Sequence, residues 1–125
     1  MSKKNILVVE DNLANLKLVK MTLTKRGYHV VATEDAEKAL TLLKEFHPDL
    51  ILIDLQLPGI DGLQLTRILK QNPMTKDILI IALTAYAMKG DKEIALSSGC
   101  DGYISKPIDI QTLHLAIEKL FEKLS

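Results

Sequence analysis

The stretch LILIDLQLPG, residues 50–59, holds four apolar residues, then a carboxylate, Asp54, then a turn signal. A run this short and this rich in Leu and Ile is typical of a parallel strand that is covered on both faces. A charge at the mouth of a buried strand is unfavourable unless something at that place uses it. Asp54 therefore marks both the middle of the predicted fold and a candidate site.

Four other apolar runs alternate with segments of helical length along the chain. The runs at 6–9, 28–32, 50–53, 78–83 and 103–104 predict five strands. The segments 12–26, 35–46, 61–71, 87–98 and one that starts at Asp109 predict five helices. Short loops and right-handed crossovers then predict an α/β fold, a doubly wound five-stranded parallel sheet of flavodoxin-like type with strand order 2-1-3-4-5.

That strand order brings several polar residues to one edge of the sheet. Glu10 and Asp11 follow the first strand, Asp54 ends the third, Thr84 the fourth, and Lys106 follows the fifth. Ligands of such sheets bind at the carboxyl ends of the strands near the point where the strand order reverses. The sequence therefore predicts a site made of three acids, one hydroxyl and one lysine.

The chemistry of these groups favours phosphoryl transfer beside a metal. Three carboxylates at one place repel one another, and Mg²⁺, which binds carboxylate and carbonyl oxygens, would relieve this repulsion. The three histidines lie far from these strand ends in the sequence, which disfavours zinc. With the metal in place, an ionised Asp54 can attack phosphorus directly, while Lys106 and Thr84 contact the phosphoryl oxygens.

Composition excludes several other classes of function. The 125 residues fit one domain, and 16 basic residues balance 16 acidic ones, so neither nucleic acid nor an anionic membrane is expected as a partner. No apolar run approaches the length of a membrane span. Cys100 is the only cysteine, so we expect a small buried side chain and a reducing, cytoplasmic environment.

The order and spacing of these residues resemble the receiver domain of two-component response regulators over essentially the whole chain. The matching stretches are 9–12, 54 with 57–62, 83–85 and 103–107. Residues 84–91 and 99–100 are similar to DivK-like single-domain regulators, and receivers attached to hybrid histidine kinases are similar there too.

The resemblance implies a phosphorelay role rather than an enzyme's turnover cycle. Asp54 would accept a phosphoryl group from a sensor histidine kinase or a phosphotransfer protein, and Lys106 would pair with that group. Asp11, Asp54 and the backbone carbonyl of Gln56 would ligate Mg²⁺, with Glu10 acting through water. The bond between Lys106 and Pro107 resembles one that the family holds in cis.

The resemblance also implies a switch. Thr84 would move toward the phosphoryl group and Tyr103 would rotate into the vacated space, so that a surface of the fourth helix, fifth strand and fifth helix binds a downstream target. Ile94 and Leu96 lie about 200° apart on the fourth helix, so both cannot face the core, and Leu115 lies on the other side of the fifth helix from Leu113 and Ile117. These three residues are a candidate apolar contact patch or single exposed residues. Residues 1–125 would form a single receiver domain without an output domain, as a monomer or weak dimer.

Four alternatives are open at this point. A haloacid-dehalogenase-like phosphatase would need a second aspartate where Gln56 stands, and an FMN-binding flavodoxin would need a phosphate loop in place of Glu10 and Asp11. The chain could also be a receiver-shaped interaction module that is never phosphorylated, or a receiver excised from a hybrid histidine kinase. Tyr86, two residues after Thr84, would either screen the phosphoryl group from water or recognise a partner.

Overall fold

The computed structural model describes residues 3–57, 59–85 and 91–123. The strands are β1 (Asn5–Val9), β2 (His29–Thr33), β3 (Leu50–Asp54), β4 (Leu79–Thr84) and β5 (Gly102–Ser105). The helices are α1 (Leu13–Lys25), α2 (Ala36–Leu42), α3 (Gly62–Gln71), α4 (Asp91–Ser97) and α5 (Ile110–Lys123). Pro58 and Tyr86, the predicted start of α4 at residues 87–90, and Leu124 lie outside the described residues.

All strand pairs are parallel, and the sheet order is β2-β1-β3-β4-β5, which confirms the predicted fold. Side chains that alternate along each strand point to opposite faces of the sheet. In β3, Ile51 and Ile53 pack with residues of α2, α3 and α4, whereas Leu50 and Leu52 pack with residues of α1 and α5. Both faces of the central strands are therefore covered, as their continuous apolar runs predicted.

The helix ends follow from local chemistry. Asn12, Asp35 and Asp61 act as N-caps, and the Asp61 and Gln64 side chains form a reciprocal capping box. The sequence predicted that α2 continues to residue 46, but the regular helix ends at Leu42. The amides of Lys44 and Glu45 bond to carbonyls only three residues back, which tightens the chain out of α-helical geometry.

One core prediction is wrong. The helical spacing of Leu65, Ile68 and Leu69 predicts that all three face the core, but Ile68 is 40% exposed while the other two are buried. The buried stripe of α3 also contains Thr66, whose hydroxyl donates to the Gly62 carbonyl at 2.8 Å and so needs no water. Ile68 lies about 200° around the helix from Thr66, so it faces solvent when Thr66 faces the core.

Candidate functional site

Three carboxylates meet where β1 and β3 end. Val9 pairs with Ile53 in neighbouring strands, so Glu10 and Asp11 leave the sheet beside Asp54. One carboxylate oxygen from each acid lies within 4.8 Å of the others. Glu10 and Asp54 are buried, and Asp11 is exposed. The structure thus brings together the acids that the sequence predicted at this edge.

Lys106 reaches this cluster from the end of β5. Its backbone N–H donates to the Thr84 carbonyl at 2.7 Å, which continues the contact between β4 and β5. Its Nζ lies 3.0 Å from Asp54 Oδ2 and 2.8 Å from Glu10 Oε1. The Lys106–Pro107 peptide bond is cis, as the resemblance implied. One lysine therefore contacts two buried carboxylates.

The electrostatics of the cluster separate its two buried acids. Burial, with the hydrogen-bonded Asp54 carboxyl beside it, raises the pKa of Glu10 to about 7. Burial would also raise the pKa of Asp54, but the hydrogen bonds with Glu10, the Gln56 N–H and Lys106 outweigh it and lower that pKa. The same two carboxylates raise the pKa of Lys106 against the effect of its burial. Asp54 is therefore the acid that stays ionised.

Gln56 connects Asp54 to the end of β4. Its backbone N–H donates to Asp54 Oδ1 at 2.9 Å. Its side-chain Nε2 donates to Thr84 Oγ1 at 2.9 Å, and its Oε1 accepts from the Ala85 N–H at 2.9 Å. The contacts of the Gln56 side chain with Thr84 and Ala85 were not predicted from the sequence. The features that could have indicated these contacts are the length of the side chain and its position, two residues past a strand that neighbours β4.

The predicted switch residues occupy different environments. Thr84 is 1% exposed, whereas Tyr103 is half-buried and packs against the core on the α2–α3–α4 side of the sheet. Ile94, Leu96 and Leu115 are all exposed large apolar residues, whereas the spacing of Ile94 and Leu96 required only that these two do not both face the core. Both α4 and α5 therefore present apolar groups to solvent.

The donor set at the acidic edge fits a hard divalent cation. Every side-chain donor there is a carboxylate oxygen, which suits Mg²⁺, and the described residues place no histidine among them. Three acids meet there and one lysine contacts two of them, so negative charge exceeds positive charge when all are ionised. A cation at this place would relieve that imbalance. Cys100 is buried elsewhere, 3.7 Å from the Thr66 hydroxyl, as expected of a small packed side chain.

The chain belongs to the response regulator receiver domain family, whose model matches residues 6–118. Members of this family are signalling proteins of two-component systems rather than enzymes in the usual sense. The chain is 46% identical over 107 residues to the polar-differentiation response regulator DivK of Brucella ovis, which covers 86% of this chain and 87% of that protein. It is 45% identical to DivK of Brucella anthropi over the same shares of both chains.

Solved structures agree with this family. A CheY-like receiver domain protein from Methanospirillum hungatei superposes with a TM-score of 0.90 at 29% identity, over 98% of this chain and 96% of that one. The receiver domain of a sensor histidine kinase from Pseudomonas aeruginosa gives 0.85 at 33% identity, over 94% and 97%. That neighbour has a magnesium ion coordinated in its active site cleft. Within the described ranges, none of the helices has the length and apolar character needed to cross a membrane.

Proposed function

We propose that Asp54 accepts a phosphoryl group from a phosphohistidine on a sensor histidine kinase or a phosphotransfer protein. The observation that carries the proposal is the contact between Asp54 Oδ2 and Lys106 Nζ, at 3.0 Å and with the Asp54 side chain 2% exposed. A buried carboxylate kept ionised beside a cation can attack phosphorus without a general base. An oxygen–phosphorus bond forms as the phosphorus–nitrogen bond breaks, and the imidazole nitrogen leaves with that electron pair.

The other groups of the cluster have distinct roles in this proposal. Lys106 holds Asp54 in place and balances negative charge on the phosphoryl oxygens, and the Thr84 hydroxyl donates to one of them. Mg²⁺ would be held by Asp11, Asp54 and the Gln56 backbone carbonyl, with Glu10 acting through water. When bound there, it supplies further neutralisation of the phosphoryl charge. The magnesium ion in the Pseudomonas receiver supports this assignment.

Phosphorylation would change which protein the chain binds. Movement of Thr84 toward the phosphoryl group would allow Tyr103 to rotate, and the α4–β5–α5 surface would then bind a downstream target. The exposed Ile94, Leu96 and Leu115 supply apolar area for that contact. We propose that residues 1–125 work as one receiver domain, in the cytoplasm and as a monomer or weak dimer.

The test is incubation with Mg²⁺ and acetyl phosphate, followed by intact-mass measurement. We expect the mass of one phosphoryl group on the wild type, none on Asp54→Asn, and the wild-type gain on Asp77→Asn. Asp77 is a suitable control because it is an exposed aspartate whose side chain pairs with His47. If the wild type stays unmodified while another receiver reacts in parallel, the chain is instead an interaction module that is not phosphorylated.

A second measurement tests the metal assignment. Asp11→Asn should weaken Mg²⁺ binding at least tenfold in calorimetric titration, because it removes one of the proposed ligands. Asp77→Asn again provides the matched control, with unchanged affinity expected. Equal Mg²⁺ affinity for the Asp11 variant and the wild type would contradict the ligand role of Asp11 without bearing on Asp54.

A further inference from the structure

The Gln56 side chain bridges the carboxyl ends of β3 and β4 by two hydrogen bonds. Its Nε2 donates to Thr84 Oγ1 and its Oε1 accepts from the Ala85 N–H, each at 2.9 Å. A backbone N–H can only donate, so the bond to Ala85 fixes the amide oxygen on that side and leaves the amide nitrogen for Thr84. The orientation of the side chain therefore follows from its partners.

Both bonded groups belong to the segment that the proposed switch displaces. In the proposed switch, the Thr84 hydroxyl leaves its present position to contact a phosphoryl oxygen on Asp54. That movement breaks the bond from Gln56 Nε2, and because Thr84 and Ala85 are consecutive, it also strains the bond from the Ala85 N–H. The Gln56 backbone stays fixed through its own N–H, which donates to Asp54 Oδ1. Gln56 therefore contacts the phosphoacceptor with its backbone and the displaced segment with its side chain.

We propose that the Gln56 side chain is a latch that holds Thr84 and Ala85 in the unphosphorylated arrangement. It is a positioning residue, because it acts on the phosphoryl group through Thr84. The latch rests on the proposed function, since it restrains the same Thr84 movement that phosphorylation requires. Releasing it favours the arrangement in which the Thr84 hydroxyl reaches the phosphoryl group.

Hydrogen exchange tests the latch without any phosphorylation. The Ala85 amide should exchange at least fivefold faster in Gln56→Leu, which keeps the bulk of the side chain but removes both bonds. Gln56→Glu keeps an oxygen for the Ala85 N–H and should retain the protection. Gln71→Leu, at the exposed end of α3, is the matched control and should leave Ala85 unchanged. Equal exchange of the Ala85 amide in wild type and Gln56→Leu would overturn the latch.

The rate of Asp54 phosphorylation by acetyl phosphate tests its consequence. We expect the rate to rise about threefold to tenfold in Gln56→Leu, the scale of one neutral hydrogen bond. Gln56→Ala, which removes the same bonds without adding a branched side chain, should show the same rise if Gln56→Leu folds poorly. In a Thr84→Ala background the Gln56→Leu change should raise the rate less than twofold, because the latched hydroxyl is absent.

The outcomes separate the two proposals. A wild type that is phosphorylated at Asp54, with Gln56→Leu and Gln56→Ala no faster, overturns the latch and leaves the proposed function standing. A rise of equal size with and without the Thr84 hydroxyl shows that Gln56 does not act through Thr84, and also overturns the latch. A wild type that is never phosphorylated overturns the proposed function, and the latch with it.

Discussion

Each end of the sheet holds a lysine beside an aspartate, but the positive and negative charges balance at only one end. At the amino ends of β4 and β5, Lys70 Nζ donates to Asp101 Oδ2 at 3.1 Å and to the Ile78 carbonyl at 2.8 Å, and Asp101 also accepts from the Ile80 N–H. At the carboxyl ends, Lys106 faces two buried carboxylates. The first arrangement satisfies its charges with local partners, whereas the second leaves an excess of negative charge.

This contrast distinguishes a structural ion pair from a functional site. Lys70 uses its ammonium protons on nearby acceptors and needs nothing further, so its network contributes to stability alone. The carboxyl edge concentrates three acids, and burial, with the Asp54 carboxyl beside it, raises the pKa of Glu10. Such an excess of buried acids is retained where a cation completes the site.

We expect the greatest loss of stability from substitution of a glycine that lies near each end of the sheet. A Cβ on Gly62 would lie 2.4 Å from the Asp54 carbonyl oxygen, whereas one on Gly99 would meet the flexible Lys70 side chain at 2.7 Å. We expect Gly62→Ala to lower the free energy of unfolding by about 3 kcal/mol, because the backbone contact forces the ends of β3 and α3 apart. Chemical denaturation measures the free energy of unfolding, and a Mg²⁺ titration measures the affinity of the site.

Gly99→Ala is the matched comparison. It places a side chain at φ +111° and displaces Lys70, so we expect a loss of about 1–3 kcal/mol with unchanged Mg²⁺ affinity. Gly62→Ala should in addition weaken Mg²⁺ binding, because Asp54 moves. Equal Mg²⁺ affinity in both variants would show that the contact between Gly62 and Asp54 does not position the acids.

Removing one negative charge from each end should change stability in opposite directions. In EDTA at pH 8, Asp101→Asn should lower the free energy of unfolding by about 1 kcal/mol, because it weakens a partly exposed pair with Lys70. Glu10→Gln should raise it by about 1 kcal/mol, since it removes a charge that is costly to bury, while Lys106 keeps its contact with Asp54. Urea denaturation of both variants beside the wild type measures the two changes.

Saturating Mg²⁺ provides the control for this pair. It should shrink or reverse the gain of Glu10→Gln, because the cation relieves the repulsion in the wild type, and should leave the loss in Asp101→Asn as it was. If both variants lose stability equally in EDTA, the carboxyl edge is as well balanced as the amino edge, and the contrast between the two ends fails.

The sequence predicted the carboxyl edge far better than the amino edge. Apolar runs locate strand ends, and parallel strand order then places their next residues together, so Glu10, Asp11 and Asp54 were predictable. Lys70 and Asp101 lie 31 residues apart with no periodic pattern to connect them. Ile68 was wrongly assigned to the core because Thr66, whose hydroxyl bonds to the Gly62 carbonyl, belongs to the buried face of α3. The orientation of the Gln56 side chain depends on partners in another strand, and no local pattern specifies these.

The last prediction concerns the dependence of stability on pH in the metal-free protein. Burial raises the pKa of Glu10 from 4.5 to about 7, so the folded state binds the proton more tightly than the unfolded chain. The stability that this proton contributes is complete below pH 4.5 and is lost as the pH rises to about 7.

Denaturation in EDTA across this range should therefore show a decline in the stability of the wild type. Glu10→Gln should reduce that decline, because the amide does not titrate. The lowered pKa of Asp54 acts at more acidic pH, where stability falls as that group takes up a proton. Asp101→Asn should keep the wild-type decline, since it leaves the carboxyl edge unchanged. If Glu10→Gln declines as steeply as the wild type between pH 4.5 and 7, another group carries the imbalance, and Glu10 is satisfied by Lys106 as fully as Asp101 is by Lys70.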